Sequence, residues 1–351
     1  MKKIIIFPFL FLAIFSWGQA QFVVQNGAKT EVYNNINTAI ENAQPGDTLY
    51  LPGGGFTINP ATIDKTLHWV GHGHYPSETG ATMQTRITTA LTFTGNCDNS
   101  SFEGILFGSN LNFGSAADEV LNVKIKRCRI VGTLALRSIA SGNPLLNFQI
   151  SECVLQSINA NNGQNCLVEK SLIFSYIDGF YQSYFDHNSI NVNGSSSYSY
   201  SAVRYSSGCN FTNNVFGLRG GLYNTGDCTL TNNIFAEGLP YYSSSSNGGN
   251  GNIYNVGGAN IFTTINGNIY TFDYNNDYHL NTSSTGTSES DGTSGVNITG
   301  TALDGTNAGI YGTATPYKTI PYYPHINTAD IATKAVNDKL GVNINAEAQS
   351  R

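Results

Sequence analysis

A six-residue phrase that recurs through the middle of the chain constrains its fold more than any other feature. Written Φ-x-x-[N/C/S]-x-Φ, it appears at Ile125–Ile130, Ile150–Leu155, Val168–Ile173, Phe185–Ile190, Phe211–Phe216 and Leu230–Phe235. A degenerate earlier copy spans Phe102–Phe107, and the leading apolar residues are separated by 23, 25, 18, 17, 26 and 19 positions. A variable period near twenty, made of short alternating strands and Gly/Asn bends, suits a solenoid of β-coils. Each copy predicts a strand, a tight bend at the fourth residue and another strand. Asn suits such a bend because it tolerates left-handed φ and its amide can bond along a stack of identical bends. One coil cannot bury its apolar face alone, whereas coils stacked about 4.8 Å apart can.

Composition points the same way. Charged residues are 11% of the 351, against a usual level of about 25%. Hydrophobic residues are an ordinary 40%, so the missing charge has become Gly (38) and Asn (42). Both are poor helix formers, which excludes a helix-rich fold. A net charge of −6 with no basic run argues against a nucleic-acid partner.

The first twenty residues look like an export leader. Lys2 and Lys3 precede an apolar run, Ile4–Trp17, too short for a comfortable membrane span, and Gly18 and Ala20 place small residues at −3 and −1. Cleavage is expected after Ala20. The expectation is a protein without a transmembrane span, acting in the extracellular space or on the outer cell surface. No Cys follows the cleavage site before Cys97, which argues against a lipid anchor.

Ile36, Ala39, Ile40 and Ala43 recur at helical spacing, so a short amphipathic helix is predicted to plug the first coil and cover its edge. Pro45-Gly46-Asp47 then turns into a strand over 48–51. With these residues the opening INTAIENAQPGDTLYLPGGGFTI resembles that of right-handed parallel β-helix proteins of the pectin-lyase-like superfamily. The late segment YHLNTSSTGTSESDGTSGVNITGTALDGTNAGIYG is similar to the closing coil of secreted bacterial members without assigned activity, with Asp304 and Gly309-Ile310-Tyr311-Gly312 matching its motif. The resemblance implies an all-β, single-stranded right-handed parallel β-helix over residues 21–315. Residues 316–351, interrupted by Pro316, Pro321 and Pro324, are expected to form a C-terminal capping segment or short appendage.

Six cysteines in an exported chain suggest disulfides by count. Register argues instead for buried thiols. Cys128 and Cys153 share one repeat position, and Cys166, Cys209 and Cys228 share another. Stacked neighbours have parallel Cβ vectors, which suit a bridge poorly. Both readings stay open from sequence. Zinc is not expected, since no CxxC pair exists.

Three motifs carry possible chemistry. Asp186-His187-Asn188 is similar to a run in pectate lyases, which use clustered acids for Ca²⁺ and an Arg or Lys base. Arg204 and Arg219 are the nearby candidates. The competing reading is an external bend ladder, Arg127, Glu152, Lys170, His187, Asn213 and Asn232, whose charges largely alternate in sign as cross-strand pairing favours. Gly71-His72-Gly73-His74 contains the Gly-His-Gly of polygalacturonases but no paired-Asp motif follows, so bend glycines with solvated histidines are expected. Asp273, Asn275 and Asp277 have the oxygen spacing that opens a Ca²⁺ loop, but Tyr278 and Ser284 stand where that loop needs Gly and Glu. No other cofactor is called for.

Tyr181, Tyr198, Tyr223 and Tyr241/Tyr242 fall 13, 13, 12 and 11/12 residues after their leading apolar residues. Such a spacing predicts a ladder of rings at one turn of four consecutive coils, on which a sugar chain can stack. The functional expectation is a non-catalytic β-helix that binds a polysaccharide or cell-surface component, or has a structural or adhesive role. The alternative is a polysaccharide lyase or glycoside hydrolase on the same scaffold.

Overall fold

The computed structural model describes residues 20–114, 118–136, 142, 144–192, 201–217, 221–239, 246–257, 260–321, 325–332, 339 and 341–347. Within them the repeat phrase becomes a stack of parallel rungs. The first face consists of Asp47–Tyr50, Leu67–Val70, Ser101–Glu103, Lys124–Lys126, Gln149–Ser151, Leu167–Glu169, Tyr184–Asp186, Asn210–Thr212, Thr229–Thr231 and Gly248–Asn250. Each rung pairs in parallel with the next. Up to the last of them, each sends one large apolar side chain inward. Leu49, Trp69, Phe102, Ile125, Ile150, Val168, Phe185, Phe211 and Leu230 are all 1% exposed or less. Each such burial contributes about 1.5–3 kcal/mol, and the series is the leading Φ of the phrase.

The closing Φ builds a second face in the same way. Ile87, Phe107, Ile130, Leu155, Ile173, Ile190, Phe216 and Phe235 are register partners from coil to coil. A third face runs through Leu91–Phe93, Leu111–Phe113, Ile177–Tyr181, Val203–Arg204 and Leu222–Tyr223. Two long strands, Arg129–Ala135 and Val154–Gln164, belong to both and join them into one sheet. Rings stack along the interior: Phe93 on Phe113 at 4.9 Å, Phe185 on Phe211 at 4.6 Å, Phe216 on Phe235 at 4.7 Å. The chain is therefore all-β, with long parallel sheets wound as a β-helix solenoid.

The predicted helix forms as Ile36–Asn42 and buries Ile36, Ala39 and Ile40. The Asn35 side chain accepts from the amides of Asn37 and Thr38, capping its start. Lys65 Nζ donates to the carbonyls of Ile40, Glu41 and Ala43, satisfying its far end. Strand Phe22–Asn26 pairs antiparallel with the first rung, so the helix and strand together close that edge. Among the described residues no helix is long and apolar enough to cross a membrane.

The bend differs from expectation. The left-handed residue is the third of the phrase, not the fourth: φ is 50° at Arg127, 56° at Glu152, 47° at Lys170, 52° at His187, 57° at Asn213 and 53° at Asn232. The fourth residue turns inward instead. Asn188, Asn214, Asn233 and Asn252 are buried, each donating through Nδ2 to the Oδ1 of the next at 2.9, 3.1 and 3.1 Å. Glu289 accepts from both the backbone amide and Nδ2 of Asn252 and ends the ladder. All six cysteines are buried free thiols, so the open question of bridges resolves against them. Burial pushes the Cys166 thiol up to about 12.

Parallel rungs account for residues 47–254, a shorter stretch than the 21–315 expected. The segment resembling a closing coil does not form one. Thr285–Ser288 pairs antiparallel with Ile253–Tyr254, and Ser294–Asn297 pairs antiparallel with Thr285–Ser288. Residues 298–321 then run back along the outside of the bends as a strap. Thr301 O accepts from Asn232 Nδ2, and the amides of Leu303 and Gly309 donate to Asn213. Thr315 O accepts from Lys170 Nζ, and the Lys318 amide donates to Glu152. A Cβ on Gly312 would lie 2.5 Å from His187 Cδ2 and 1.8 Å from Asn307 O, so only glycine passes there. The late chain also builds a second core against the outward side of the second face, where Val154, Leu172, Val215 and Ile234 meet Phe174, Tyr278, Ile310 and Tyr317. Those paired apolar residues, such as Val215-Phe216, reflect burial on both sides of the sheet. Of the expected C-terminal segment, residues 316–321 continue the strap, while His325–Ile331 and Val342–Glu347 form a two-stranded antiparallel sheet.

Candidate functional site

Beside the strap, the outward side of the first face is left open. There the residue before each leading Φ forms a column, in which Leu167, Tyr184 and Asn210 are register neighbours. Tyr184 stands out of it, 53% exposed, on a strand fixed by the buried Phe185 beneath. A depression lies on each side of Tyr184. One, of about 460 Å³, is lined by Gln164, Asn165, Gln182 and Asn210 with Leu145 and Gly208. The other, of about 510 Å³, is lined by Asp186, His187, Thr212, Asn213 and the strap residues Leu303, Asp304 and Thr313. Tyr184 and Asn210 line both, so the two make one groove across the coils with a ring at its middle. One end offers neutral amides, the other carboxylates and an imidazole.

At the acidic end His187 sits 2% exposed, between two carboxylates. Its Nδ1 is 3.0 Å from Asp186 Oδ2 and its Nε2 is 4.0 Å from Asp304 Oδ1. The second is too long for a hydrogen bond and the first is a close contact without hydrogen-bond geometry, so neither ring nitrogen makes a hydrogen bond in the described protein. Asp186 Oδ1 accepts from Asn213 Nδ2. Asp304 Oδ1 accepts from the hydroxyl and the amide of Thr306, and these bonds hold its carboxyl below the usual range, with the nearby His187 acting in the same direction.

The other sequence candidates fall elsewhere. Arg204 lies on the third face, where its Nη2 is 2.7 Å from Asp178 Oδ2 and its guanidinium stacks at 3.8 Å over Tyr176, away from Asp186. Arg219, Tyr198, Tyr241 and Tyr242 lie outside the described residues. Tyr181 and Tyr223 do not stand in one column. Tyr223 is in register with Arg204 and Asp178, whereas Tyr181 is in register with Ser207 and Gly226. Loop lengths differ between these coils, so equal counting from the leading residue does not give equal position. Tyr223 instead meets the exposed Tyr205 edge-to-face at 5.7 Å.

The bend ladder is not solvated. Arg127, Glu152, Lys170, His187 and Asn213 are buried, the last four against the strap, with Arg127 Nε 2.7 Å from Glu152 Oε2. His74 is likewise buried rather than solvated. Of the Ca²⁺ candidates, Asp273 closes a turn on Asn275 and Asp277 binds His279, so their oxygens are spent separately. Among the described residues no group of three or more His, Cys, Asp or Glu is arranged to hold a metal ion.

Sequence reasoning passed over Tyr184, although its column, Lys124, Gln149, Leu167, Tyr184, Asn210 and Thr229, contains one ring and reads directly off the repeat. It noted Asp304 only as part of a closing motif. Nothing in the spacing indicated that a strap carries this residue back to His187, more than a hundred positions earlier. Comparison with protein-family models, with curated proteins and with solved structures finds no match to this chain.

Proposed function

We propose that this chain is an exported β-helix protein, of the pectin-lyase-like kind its sequence resembles, that binds a polysaccharide across its first face without cleaving it. The observation that carries this reading is the half-exposed Tyr184 ring set between two adjoining depressions lined by amides, hydroxyls and carboxylates. A flat ring offers a sugar face both stacking area and a polar handle, and the amides offer donors and acceptors to its hydroxyls. The groove replaces the tyrosine turn as the glycan site, since Tyr181 and Tyr223 stand in different columns.

Binding is the reading the groove supports best. Glycoside hydrolysis needs one carboxylic acid kept protonated as general acid beside an ionised partner. Asp304, lowered by its bonds from Thr306, suits the ionised role and not that of the acid. A lyase needs an Arg or Lys base; of the two candidates, Arg204 is held by Asp178 on another face and Arg219 lies outside the described residues. Titration calorimetry against a panel of oligosaccharides tests the reading. The native protein is expected to bind with modest affinity that rises with chain length, and Tyr184→Ala to lose roughly two- to tenfold, the worth of about 0.5–1.5 kcal/mol for one stacked ring. Unchanged binding in that variant, or bond cleavage during the titration, overturns it.

A further inference from the structure

We infer that the groove takes a polysaccharide carrying free amino groups, with a sugar ammonium held between Asp186 and Asp304 over His187. This deepens the glycan-binding reading above and rests on it. The first support is the charge of the pocket. Asp186 and Asp304 reach it from opposite walls, 39% and 44% exposed, and no Lys or Arg is among the described residues that line it. Glu169 stands in register with Asp186 on the neighbouring strand, but Lys170 Nζ lies 3.8 Å from it and offsets its charge. Asp186 and Asp304 are left as the two carboxylates that an added cation would meet.

The nearby cations serve Glu169, the strap and Glu152 rather than the two aspartates. Lys170 Nζ turns to Thr315 O and its hydroxyl under the strap, 3.8 Å from Glu169. Arg127 and Lys126 are spent on Glu152 two coils away. A uronate or a sulfated sugar would therefore meet unscreened carboxylates, whereas an ammonium would meet two.

The second support is His187. It is buried, it lines the pocket between the two carboxylates, and neither ring nitrogen has a hydrogen-bond partner in the described protein. Buried polar groups without a partner are rare and costly. A ligand that brings hydroxyl and amino groups to this point supplies what the imidazole lacks. The Tyr184 ring beside it stacks the sugar face, so that one hexosamine unit spans ring and carboxylates.

The experiment compares β-1,4-linked glucosamine hexasaccharide with its N-acetylated counterpart and with hexagalacturonate, by calorimetry at mildly acidic pH. The glucosamine oligomer is expected to bind about tenfold more tightly than the acetylated one, the sum of two half-exposed ion pairs. The preference should vanish in 1 M salt, where the Debye length falls to about 3 Å. Asp304→Asn keeps the acceptor used by Thr306 and should bring the two oligomers to one affinity, and Asp186→Asn should act in the same direction. Folding of each variant is checked by its melting temperature. Equal binding of the charged and acetylated oligomers by the native protein, or tighter binding of hexagalacturonate, overturns the amino-sugar inference and leaves glycan binding standing. Binding of none of the three, together with an oligosaccharide panel that also fails, overturns both.

Discussion

The side-chain amide of Asn214 uses all the bonding capacity it has. Its Nδ2 donates to Phe185 O and Asn233 Oδ1, and its Oδ1 accepts from the backbone amide and Nδ2 of Asn188. Asn214→Leu fills the space but removes all four bonds and leaves the buried Asn188 amide without its acceptor, while Asn233 Oδ1 keeps the residue-214 amide and Asn188 Nδ2 keeps Val168 O. At about 1–3 kcal/mol for the buried group left unpaired and about 1 kcal/mol for each other bond lost, a loss of roughly 3 kcal/mol or more is expected. Thr229→Leu, on the exposed side of a rung, should change stability by less than about 0.5 kcal/mol. Urea unfolding of the two variants checks this, and equal midpoints would refute the ladder. The stack itself was legible, because the phrase repeats Asn at one position. That the left-handed residue is its predecessor was not. Arg127, Glu152 and Lys170 have no intrinsic taste for left-handed φ, at a cost of roughly 1–2 kcal/mol each. Their backbone is set by the neighbours on both sides, one strand residue before and one inward Ser or Cys after, and, at Glu152 and Lys170, by the strap that covers them.

At the scale of elements, what sequence reading missed is what has no period. The rungs and the N-terminal helix follow spacing rules, and both were found. The loop carrying His74 meets the loop carrying Phe272 and Tyr274 across two hundred residues, and no repeat announces that meeting. His74 Nδ1 is 3.3 Å from the Tyr274 hydroxyl, Tyr75 OH is 2.8 Å from Tyr317 OH, and the Arg129 guanidinium lies 4.7 and 5.0 Å from the Phe272 and Tyr274 rings. Burial, and then the charge of Arg129, lower the His74 pKa from 6.5 to about 3. In that window the unfolded chain binds a proton that the folded chain refuses. The contribution of neutral His74 is thus fully present above about pH 6.5 and is lost progressively as pH falls toward 3. His74→Phe should flatten the dependence of stability on pH there by up to about 1.4 kcal/mol per pH unit, the value for one proton. Unfolding midpoints at a series of pH values decide it. A variant that loses stability with acid as steeply as the parent would show that carboxylates alone set the slope.

For the molecule as a whole, the strap changes what kind of object the solenoid is. A stack of coils contacts only its neighbours, so its stability is a sum of local terms and its ends can unravel separately. Here residues 298–321 cross the stack in reverse, touching the coils of Asn232, Asn213, Lys170 and Glu152 in turn and reaching Gly73, whose Cα neighbourhood meets Pro321. Ile298, Ile310 and Tyr317 are buried by that crossing, and each is worth about 1.5–3 kcal/mol of apolar burial. The strap is also one wall of the groove, so the same chain that couples distant coils places Asp304. A chain ended after Asn297 should therefore lose several kcal/mol and exchange one cooperative unfolding transition for a broad one, as the coils come apart independently. Ending the chain after Pro321 removes, among the described residues, the His325–Ile331 and Val342–Glu347 pair with its immediate neighbours and should leave both midpoint and sharpness unchanged. Calorimetric and spectroscopic melting curves of the two truncations, read for coincidence between probes, distinguish a solenoid held by its strap from one held by its coils. If the shorter chain still melts sharply at the parent temperature, the coupling lies in the stacked Phe and Asn ladders, and the strap serves the groove alone.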